Sequence, residues 1–223
     1  MTTFVLVPGM LHGGWWFEPL ADQLREHGHD AYPVTLTGLG DHADPAGASA
    51  NLDTHIQDVV DVLESEQLTD VVLVGHSYGG MPITGAADRV PARVAGLVYV
   101  DAFVPEDGDS VWTLANDLWR QRYIAGSGAT GLAVEPMNPA LDPRTRPHPL
   151  ASLVQRIRLT GAKDLVSRKD YLYLTEFEGT PFTPFHDRLR EDPEWTVHTV
   201  ASGHDVVRDA PDELLKILLA VAP

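Results

Sequence analysis

The segment that most constrains the fold is residues 71–87, where a strand-like run, a Gly-His-Ser-Tyr-Gly turn and a helix-like run follow one another. Val71–Val74 is a β-branched, apolar run of the kind found in buried strands. The apolar residues after the turn recur at helical spacing: Met81, Ile83, Ala86 and Ala87. A strand, a sharp turn and a helix around Gly-x-Ser-x-Gly form a nucleophile elbow. The pattern therefore predicts an elbow at residues 75–79, with Ser77 as a nucleophile.

The elbow makes a specific demand on the backbone. It holds its serine in a strained conformation that lifts Oγ clear of the strand. Gly75 and Gly79 are expected where the strand and the helix pass too closely for a Cβ atom. An ordinary glycine-rich turn is the alternative, and the two flanking periodicities favour the elbow.

Length and composition limit the class of protein. The chain has 223 residues, with 43% hydrophobic and 22% charged residues, as expected for one globular domain spanning residues 1–223. It contains no cysteine, which excludes disulfides, thiolate catalysis and cysteine zinc sites, and is consistent with a reducing cytoplasm.

The net charge and the hydropathy of the chain limit the classes of molecule that it is expected to bind. The formal charge of −16 argues against nucleic acids and anionic membranes, which need clustered Lys and Arg. The first residues lack the basic region of a signal peptide, and no apolar run has the roughly 20 residues of a membrane span. We therefore expect a cytoplasmic protein that acts on a small molecule. The sequence gives no indication of an oligomeric state.

Strands alternate with helices along most of the chain, which predicts an α/β fold with a mostly parallel sheet covered on both faces. Strands are predicted at Phe4–Val7, Ala31–Leu36, Val71–Val74, Val94–Val100, Tyr171–Thr175 and Trp195–Val200. Helices are predicted from Phe17 to His27 with a stop at Gly28, after a cap at Asn51 or Asp53, after the elbow, near Phe185–Leu189, and after Asp209 as a cap with Pro211 in the first turn.

The alternation breaks over residues 105–169, a Gly-, Pro- and Trp-rich segment that we call the insert. The core is then expected at residues 1–104 and 170–223, with the insert as a lid over the carboxyl ends of the strands. Its clearest periodicity comes from Trp112, Leu118 and Trp119, which favour a helix.

A serine nucleophile needs a base, and His204 is the best placed of the ten histidines. It follows a predicted strand and precedes the last helix, at the edge of the sheet where such folds bind ligands. A solvated loop histidine is the alternative. His76 is expected to pack under the elbow, and His27, His29 and His198 to be structural or solvated. No histidine and carboxylate spacing predicts a metal site.

The oxyanion hole is expected from the loop Pro8–Gly14, paired with the residue after the nucleophile. The predicted donors are the backbone N–H groups of Met10 and Tyr78, and His12 is expected to brace the loop by hydrogen bonding. A plain glycine-rich turn is the alternative.

Two residues, each at the end of a predicted strand, are candidates for the acid that orients the base. Glu178, after the strand Tyr171–Thr175, is favoured by chain order, and Asp101, after Val94–Val100, is the alternative. Two further alternatives are that Glu176 is the acid, or that none of these carboxylates is. Asp205 is next to His204, so its side chain should diverge.

Several motifs resemble the α/β-hydrolase superfamily, in particular the small single-domain branch of plant methyl esterases and hydroxynitrile lyases and their bacterial relatives. The motifs are Phe4–Gly9, His12–Trp16, Gly38-Leu39-Gly40, the elbow and the Gly203-His204 pair. The resemblance covers Phe4–Val104 and Tyr171–Val221 and fades in the insert.

The departures from that branch are informative. Pro8 stands where the esterases often carry histidine, and Glu178 where the family typically has aspartate. Hydroxynitrile lyases of the branch carry a threonine and a lysine where this chain has Gly9 and Asp205, which disfavours lyase activity.

Together these features predict a cofactor-free serine hydrolase that cleaves a small, apolar carboxylic ester, thioester or lactone through an acyl-enzyme. Two alternatives remain: a lyase, cyclase or C–C bond enzyme on the same fold, and a ligand receptor without turnover. The pocket candidates are His12, Phe103, Trp112, Trp119 and Met137, for which simple packing is an equal alternative.

Overall fold

The computed structural model describes residues 1–40, 50–136, 138 and 141–222. In this part of the chain, the main sheet has the strands β1 Thr3–Val7, β2 Asp30–Pro33, β3 Val71–His76, β4 Val94–Val100, β7 Arg168–Leu174 and β8 Trp195–Val200. These six strands are parallel and lie in the order β2-β1-β3-β4-β7-β8. The predicted α/β class and parallel sheet are confirmed.

Helices cover both faces of this sheet. The helices outside the insert are α1 Glu18–Glu26, α2 Leu52–Ser65, α3 Gly80–Arg89, α7 Thr183–Leu189, α8 Val206–Asp209 and α9 Pro211–Val221. Leu24 of α1 and Leu218 of α9 pack with Val98 on one face, while Ile56 of α2 and Ile83 of α3 pack with Leu97 on the other. Adjacent β4 residues therefore serve opposite layers, as the pleat requires.

Element ends show where local signals were sufficient. Asn51 caps α2, with its side chain accepting the Thr54 amide at 3.0 Å, so the first of the two predicted caps is confirmed. The predicted extension of β2 to Leu36 is wrong. The strand ends at Pro33: the Val34 amide still donates to the Leu6 carbonyl at 2.9 Å, but β1 ends at Val7, and the Thr35 side chain accepts the Gly14 amide at 2.8 Å.

Asp209 was also expected to cap the last helix, and this is wrong. Asp209 is the final residue of α8, and its carboxylate accepts from Arg208 Nε at 2.8 Å. The helix α9 begins after Ala210 with no side-chain cap and carries Pro211 at its start, as predicted.

The insert follows β4 in the chain, and its last two residues, Arg168 and Lys169, already belong to β7, so the sheet resumes two residues before the predicted boundary. The rest of its described part adds no strand to the main sheet. Its described elements are α4 Val111–Leu114, α5 Asp117–Ser127, α6 Leu150–Val154, and the antiparallel pair β5 Ala133–Val134 and β6 His148–Pro149. Trp112 and Trp119 lie on two separate helices. None of the helices described here has both the length and the apolar character needed to cross a membrane.

Candidate active site

The predicted site residues leave the sheet at one edge, because parallel strands place their carboxyl ends on the same side. Ser77 follows β3 and Asp101 follows β4, and these two strands pair up to His76 and Val100. The loop after β7 continues beside the loop after β8: the Glu176 amide donates to the Ser202 carbonyl at 3.0 Å. This pairing carries the β7 loop to His204.

The elbow has the predicted geometry. Ser77 is a non-glycine residue with a φ of 55°, in the left-handed region that side chains rarely adopt. A Cβ on Gly75 would stand 2.6 Å from the Gly79 carbonyl oxygen, and one on Gly79 would stand 2.3 Å from the carbonyl oxygen of Val7. Neither position can hold a larger residue, so the glycines allow β3, the turn and β1 to meet.

His204 is paired with a buried carboxylate. Its Nδ1 lies 2.7 Å from Asp101 Oδ2, and the other oxygen of Asp101 accepts the Leu174 amide at 3.4 Å. Burial raises the pKa of Asp101, and the hydrogen bond to His204 opposes that rise. Because an ionised carboxylate can only accept, Nδ1 of a neutral His204 carries the proton and Nε2 is the basic nitrogen.

The preference for Glu178 over Asp101 as the partner of His204 is wrong. Glu176 and Glu178 are both exposed, and the residue between them, Phe177, faces the imidazole at a ring centroid distance of 4.3 Å. The chain turns after β7, with the Thr180 amide donating to the Phe177 carbonyl at 3.2 Å, and this turn places the Phe177 ring against His204 while both glutamates face solvent. Asp101 reaches His204 from a backbone with a φ of 44°, another left-handed conformation.

Aromatic rings flank His204. Phe177 stacks on it with an interplanar angle of 15°, and the ring of His76 lies 4.4 Å from it between centroids. His76 is buried, donates from Nε2 to the His204 carbonyl at 2.9 Å and stacks on Trp16. Burial holds the pKa of His76 well below its usual value. The predicted packing of His76 under the elbow is confirmed, and it also contacts the base.

The loop after β1 lies against the elbow. A Cβ on Gly9 would stand 3.0 Å from both His76 Nδ1 and Ser77 Cβ, which leaves no space for a side chain. His12 donates from Nδ1 to the Met10 carbonyl at 2.6 Å, so the predicted brace is present. Burial lowers the pKa of His12, which favours the neutral ring. Met10 and Tyr78 are thus on two segments that meet beside Ser77.

Ser77 and His204 are neighbours through His76, the residue that precedes Ser77 and touches His204. The two side chains share no hydrogen bond in the described part of the chain. Catalytic hydrogen bonds are often long before a substrate binds and tighten in its complex.

The pocket candidates have different environments. Phe103 is buried under the elbow, where its amide donates to the Ser77 carbonyl at 3.2 Å. Trp119 is half-buried, donates from Nε1 to the Gly179 carbonyl at 3.1 Å and lies 5.8 Å from Phe177 between ring centroids. Trp112 is half-buried against the core. Met137 lies outside the described residues.

Sequence reasoning missed Phe177, and also His55 and His148, which contact Tyr78. Phe177 had a usable signal, since it lies between two carboxylates at a predicted strand end. His55 lies on the apolar face of α2, where a histidine looks like a core residue. His148 lies in the weakly periodic insert and had no signal.

Known proteins share this architecture. A family model described as the alpha/beta hydrolase family matches residues 4–217. A carbendazim hydrolyzing esterase from Nocardioides sp. (strain SG-4G) is 38% identical over 241 residues, which cover 99% of this chain and 100% of that protein. Methylesterase 7 of Arabidopsis thaliana is 35% identical over 105 residues, or 46% of this chain and 40% of the relative.

A solved structure shows the same fold over nearly the whole chain. It is an extracellular alpha/beta-hydrolase from a Paenibacillus species, described as sharing structural and functional homology with tobacco salicylic acid binding protein 2. The TM-score is 0.84 at 24% identity, covering 99% of this chain and 98% of the other. The predicted fold and the resemblance to esterases of this branch are confirmed.

Proposed function

Because this chain belongs to the alpha/beta hydrolase family, we propose that it hydrolyses a small carboxylic ester through an acyl-enzyme formed on Ser77. The observation that carries the proposal is the 2.7 Å hydrogen bond between His204 Nδ1 and Asp101, placed beside a strained elbow serine. The similarity of this chain to named esterases supports its assignment as an ester hydrolase. The serine mechanism and the substrate class are the proposed parts.

In the first half-reaction, Ser77 Oγ attacks the ester carbonyl carbon while its proton moves to His204 Nε2. The carbonyl electron pair goes to the oxygen, and the backbone N–H groups of Met10 and Tyr78 stabilise that oxyanion. When the intermediate collapses, the carbonyl re-forms, the C–O bond to the alcohol breaks, and His204 protonates the leaving alkoxide.

In the second half-reaction, His204 takes a proton from water, and the resulting hydroxide attacks the acyl-enzyme. The second tetrahedral intermediate releases the carboxylic acid and returns the proton to Ser77. Asp101 keeps His204 in the tautomer with Nδ1 protonated and stabilises the imidazolium in both halves. Each oxyanion donor is expected to lower the barrier by about 3–4 kcal/mol.

Aromatic groups near His204 support an apolar substrate. Phe177 stacks on the base, and Trp119 of the insert lies next to Phe177. We place the acyl or alcohol group of the substrate along this wall, with the insert as its lid. Trp112 of the insert stays a candidate for the same wall. Met10 and His12 would border the opposite side.

A lyase that releases cyanide is a weaker candidate. A cation near the base would stabilise the cyanide anion, whereas residue 205, next to His204, is an aspartate. Asp205 Oδ2 lies 3.2 Å from Arg208 Nη1, and Asp209 lies 2.8 Å from Arg208 Nε, so this guanidinium is paired with carboxylates.

Pre-steady-state kinetics test the proposal. With 4-nitrophenyl esters of graded acyl length, we expect a burst of one 4-nitrophenolate per protein followed by a slower steady state. A folded protein that binds such esters without any turnover would instead be a receptor. Turnover without a burst and without loss in Ser77→Ala would contradict the acyl-enzyme.

A further inference from the structure

The side chain next to the nucleophile is held by a buried hydrogen-bond network. Tyr78 is fully buried, and its hydroxyl lies 2.7 Å from Nδ1 of His55, which is also fully buried. Burial raises the pKa of Tyr78, so its hydroxyl stays protonated at all ordinary pH values. No step of the proposed reaction uses this side chain, although its own N–H group is a proposed oxyanion donor.

The direction of the bond between Tyr78 and His55 follows from a third group. His55 Nε2 lies 3.0 Å from the Thr37 carbonyl, which can only accept, so Nε2 carries the proton. Burial lowers the pKa of His55, which favours the neutral ring. Nδ1 is then an acceptor, and Tyr78 donates to it. The network therefore has one proton arrangement and holds the phenol in one place.

The insert holds the same phenol from a second direction. The Ser152 hydroxyl donates to the Pro149 carbonyl at 2.8 Å and lies 2.9 Å from His148 Nε2. The ring of His148 meets that of Tyr78 edge-on at 4.5 Å between centroids. Ser152 and His148 are both fully buried. Tyr78 is thus fixed between α2 of the core and the β6–α6 part of the insert.

This anchoring acts next to the most strained point of the site. The Tyr78 N–H belongs to the peptide that directly follows Ser77, whose φ is 55°. A rotation that relaxed Ser77 would turn this peptide and move the N–H away from the oxyanion. Such a rotation would also have to move the Tyr78 ring, which its buried partners prevent.

We propose that His55 is a positioning residue that fixes the Tyr78 N–H for the oxyanion through the Tyr78 hydroxyl. This inference rests on the proposed function, because it gives the Tyr78 amide its role. His55 touches neither the substrate nor the reacting atoms.

The test compares Tyr78→Phe, His55→Leu, their double variant and His55→Gln. A 4-nitrophenyl ester gives kcat and KM, and a trifluoromethyl ketone, which adds to the serine as an oxyanion, measures binding to the oxyanion hole. Since small misplacements of catalytic groups cost up to ~100-fold, we expect a loss in kcat of about 10-fold for Tyr78→Phe and for His55→Leu. KM should change by less than about 2-fold, because only transition-state binding is lost.

The pattern among the variants separates positioning from general damage. Ketone affinity should fall in parallel with kcat, and the double variant should be no worse than either single one, because both break the same bond. His55→Gln should recover most of kcat, since its amide can accept from Tyr78 and donate to Thr37. Tyr99→Phe is the matched control: it removes a buried hydroxyl bonded to Thr84 at 2.7 Å and should leave kcat unchanged.

Unchanged kcat in Tyr78→Phe, additive losses, or ketone affinity that does not follow kcat would overturn the role of His55. If His55→Leu does not fold, the isosteric Tyr78→Phe and the rescue by His55→Gln still decide. A wild-type protein that neither cleaves the ester nor binds the ketone would contradict the proposed function itself. The two failures are therefore distinguishable.

Discussion

Asp101 and His204 form a hydrogen bond of 2.7 Å although they are 103 residues apart in the chain. Asp101 ends β4 and His204 follows β8, with β7 between these strands. The hydrogen bond between the carboxylate and the imidazole therefore crosses the carboxyl end of β7. The loop after β7, which was expected to supply the acid, supplies the stacking ring of Phe177 instead.

The first prediction identifies the acid of the site by replacing each candidate carboxylate with its amide. Asp101→Asn should lower kcat by about 10⁴-fold, because the amide can stabilise the wrong tautomer of His204. Glu178→Gln is the matched control, since it makes the same chemical change on an exposed side chain and should stay within about 2-fold. Steady-state kinetics on one ester measure both. A larger loss in Glu178→Gln would return the role to Glu178.

The second prediction separates the effect of Asp101 on protein stability from its role as the partner of His204. Burial raises the pKa of Asp101, so its ionisation opposes folding at a pH above that raised value. Asp101→Asn should therefore have a free energy of unfolding at pH 7 equal to or above that of the wild type. The difference should shrink as the pH falls, because Asp101 itself then becomes protonated.

Urea unfolding of both proteins at pH 7 and pH 4 measures this difference. A variant that is less stable at pH 7 than at pH 4, relative to the wild type, would contradict the assigned sign.

The third prediction concerns acid stability. Burial holds the pKa of His76 and of His148 well below the usual value, so both are neutral when folded and become protonated on unfolding. The unfolded chain then binds more protons, and the free energy of unfolding should fall as the pH drops below about 6.5. Each such histidine contributes a slope of up to about 1.4 kcal/mol per pH unit.

His148→Gln tests this contribution, because glutamine does not titrate. Its free energy of unfolding should depend less on pH between 6.5 and 5 than that of the wild type. An unchanged slope in His148→Gln would contradict a neutral, buried His148.

The fourth prediction concerns the ring that stacks on the base. Phe177→Leu removes the contact at 4.3 Å and should lower kcat by about 2- to 10-fold, the equivalent of a typical aromatic pair of about 0.5–1.5 kcal/mol. Phe185→Leu removes a buried ring that packs on Phe103 instead, and should lower the melting temperature with little change in kcat. Equal kcat losses in the two variants would indicate general loosening of the core.

The amino-acid sequence was sufficient where a feature is local. The elbow, the loop after β1 and the Gly-His pair are each a short motif next to a strand end, so these motifs alone predict the positions of Ser77, Met10 and His204. The parallel sheet followed from the alternation of elements, which fixes topology without side-chain detail.

The acid and the tyrosine network depend on non-local geometry. Asp101 reaches His204 from a backbone with a positive φ at the end of β4, and the apolar pattern of that strand does not predict which side of the turn the carboxylate takes. Tyr78 contacts His55, which lies 23 residues before it in the chain, and His148, which lies in the insert. No short sequence motif links these three side chains. The contacts of these residues arise only in the folded chain.

The central claim is that Ser77 is the nucleophile activated by His204 and Asp101, and covalent capture tests it most directly. The protein is incubated with an alkyl fluorophosphonate, digested, and mapped by mass spectrometry. We expect one adduct on the peptide that contains Ser77, none in Ser77→Ala, and much slower labelling in Asp101→Asn than in Glu178→Gln. An adduct on another residue, or no adduct on the folded wild-type protein, would contradict the claim.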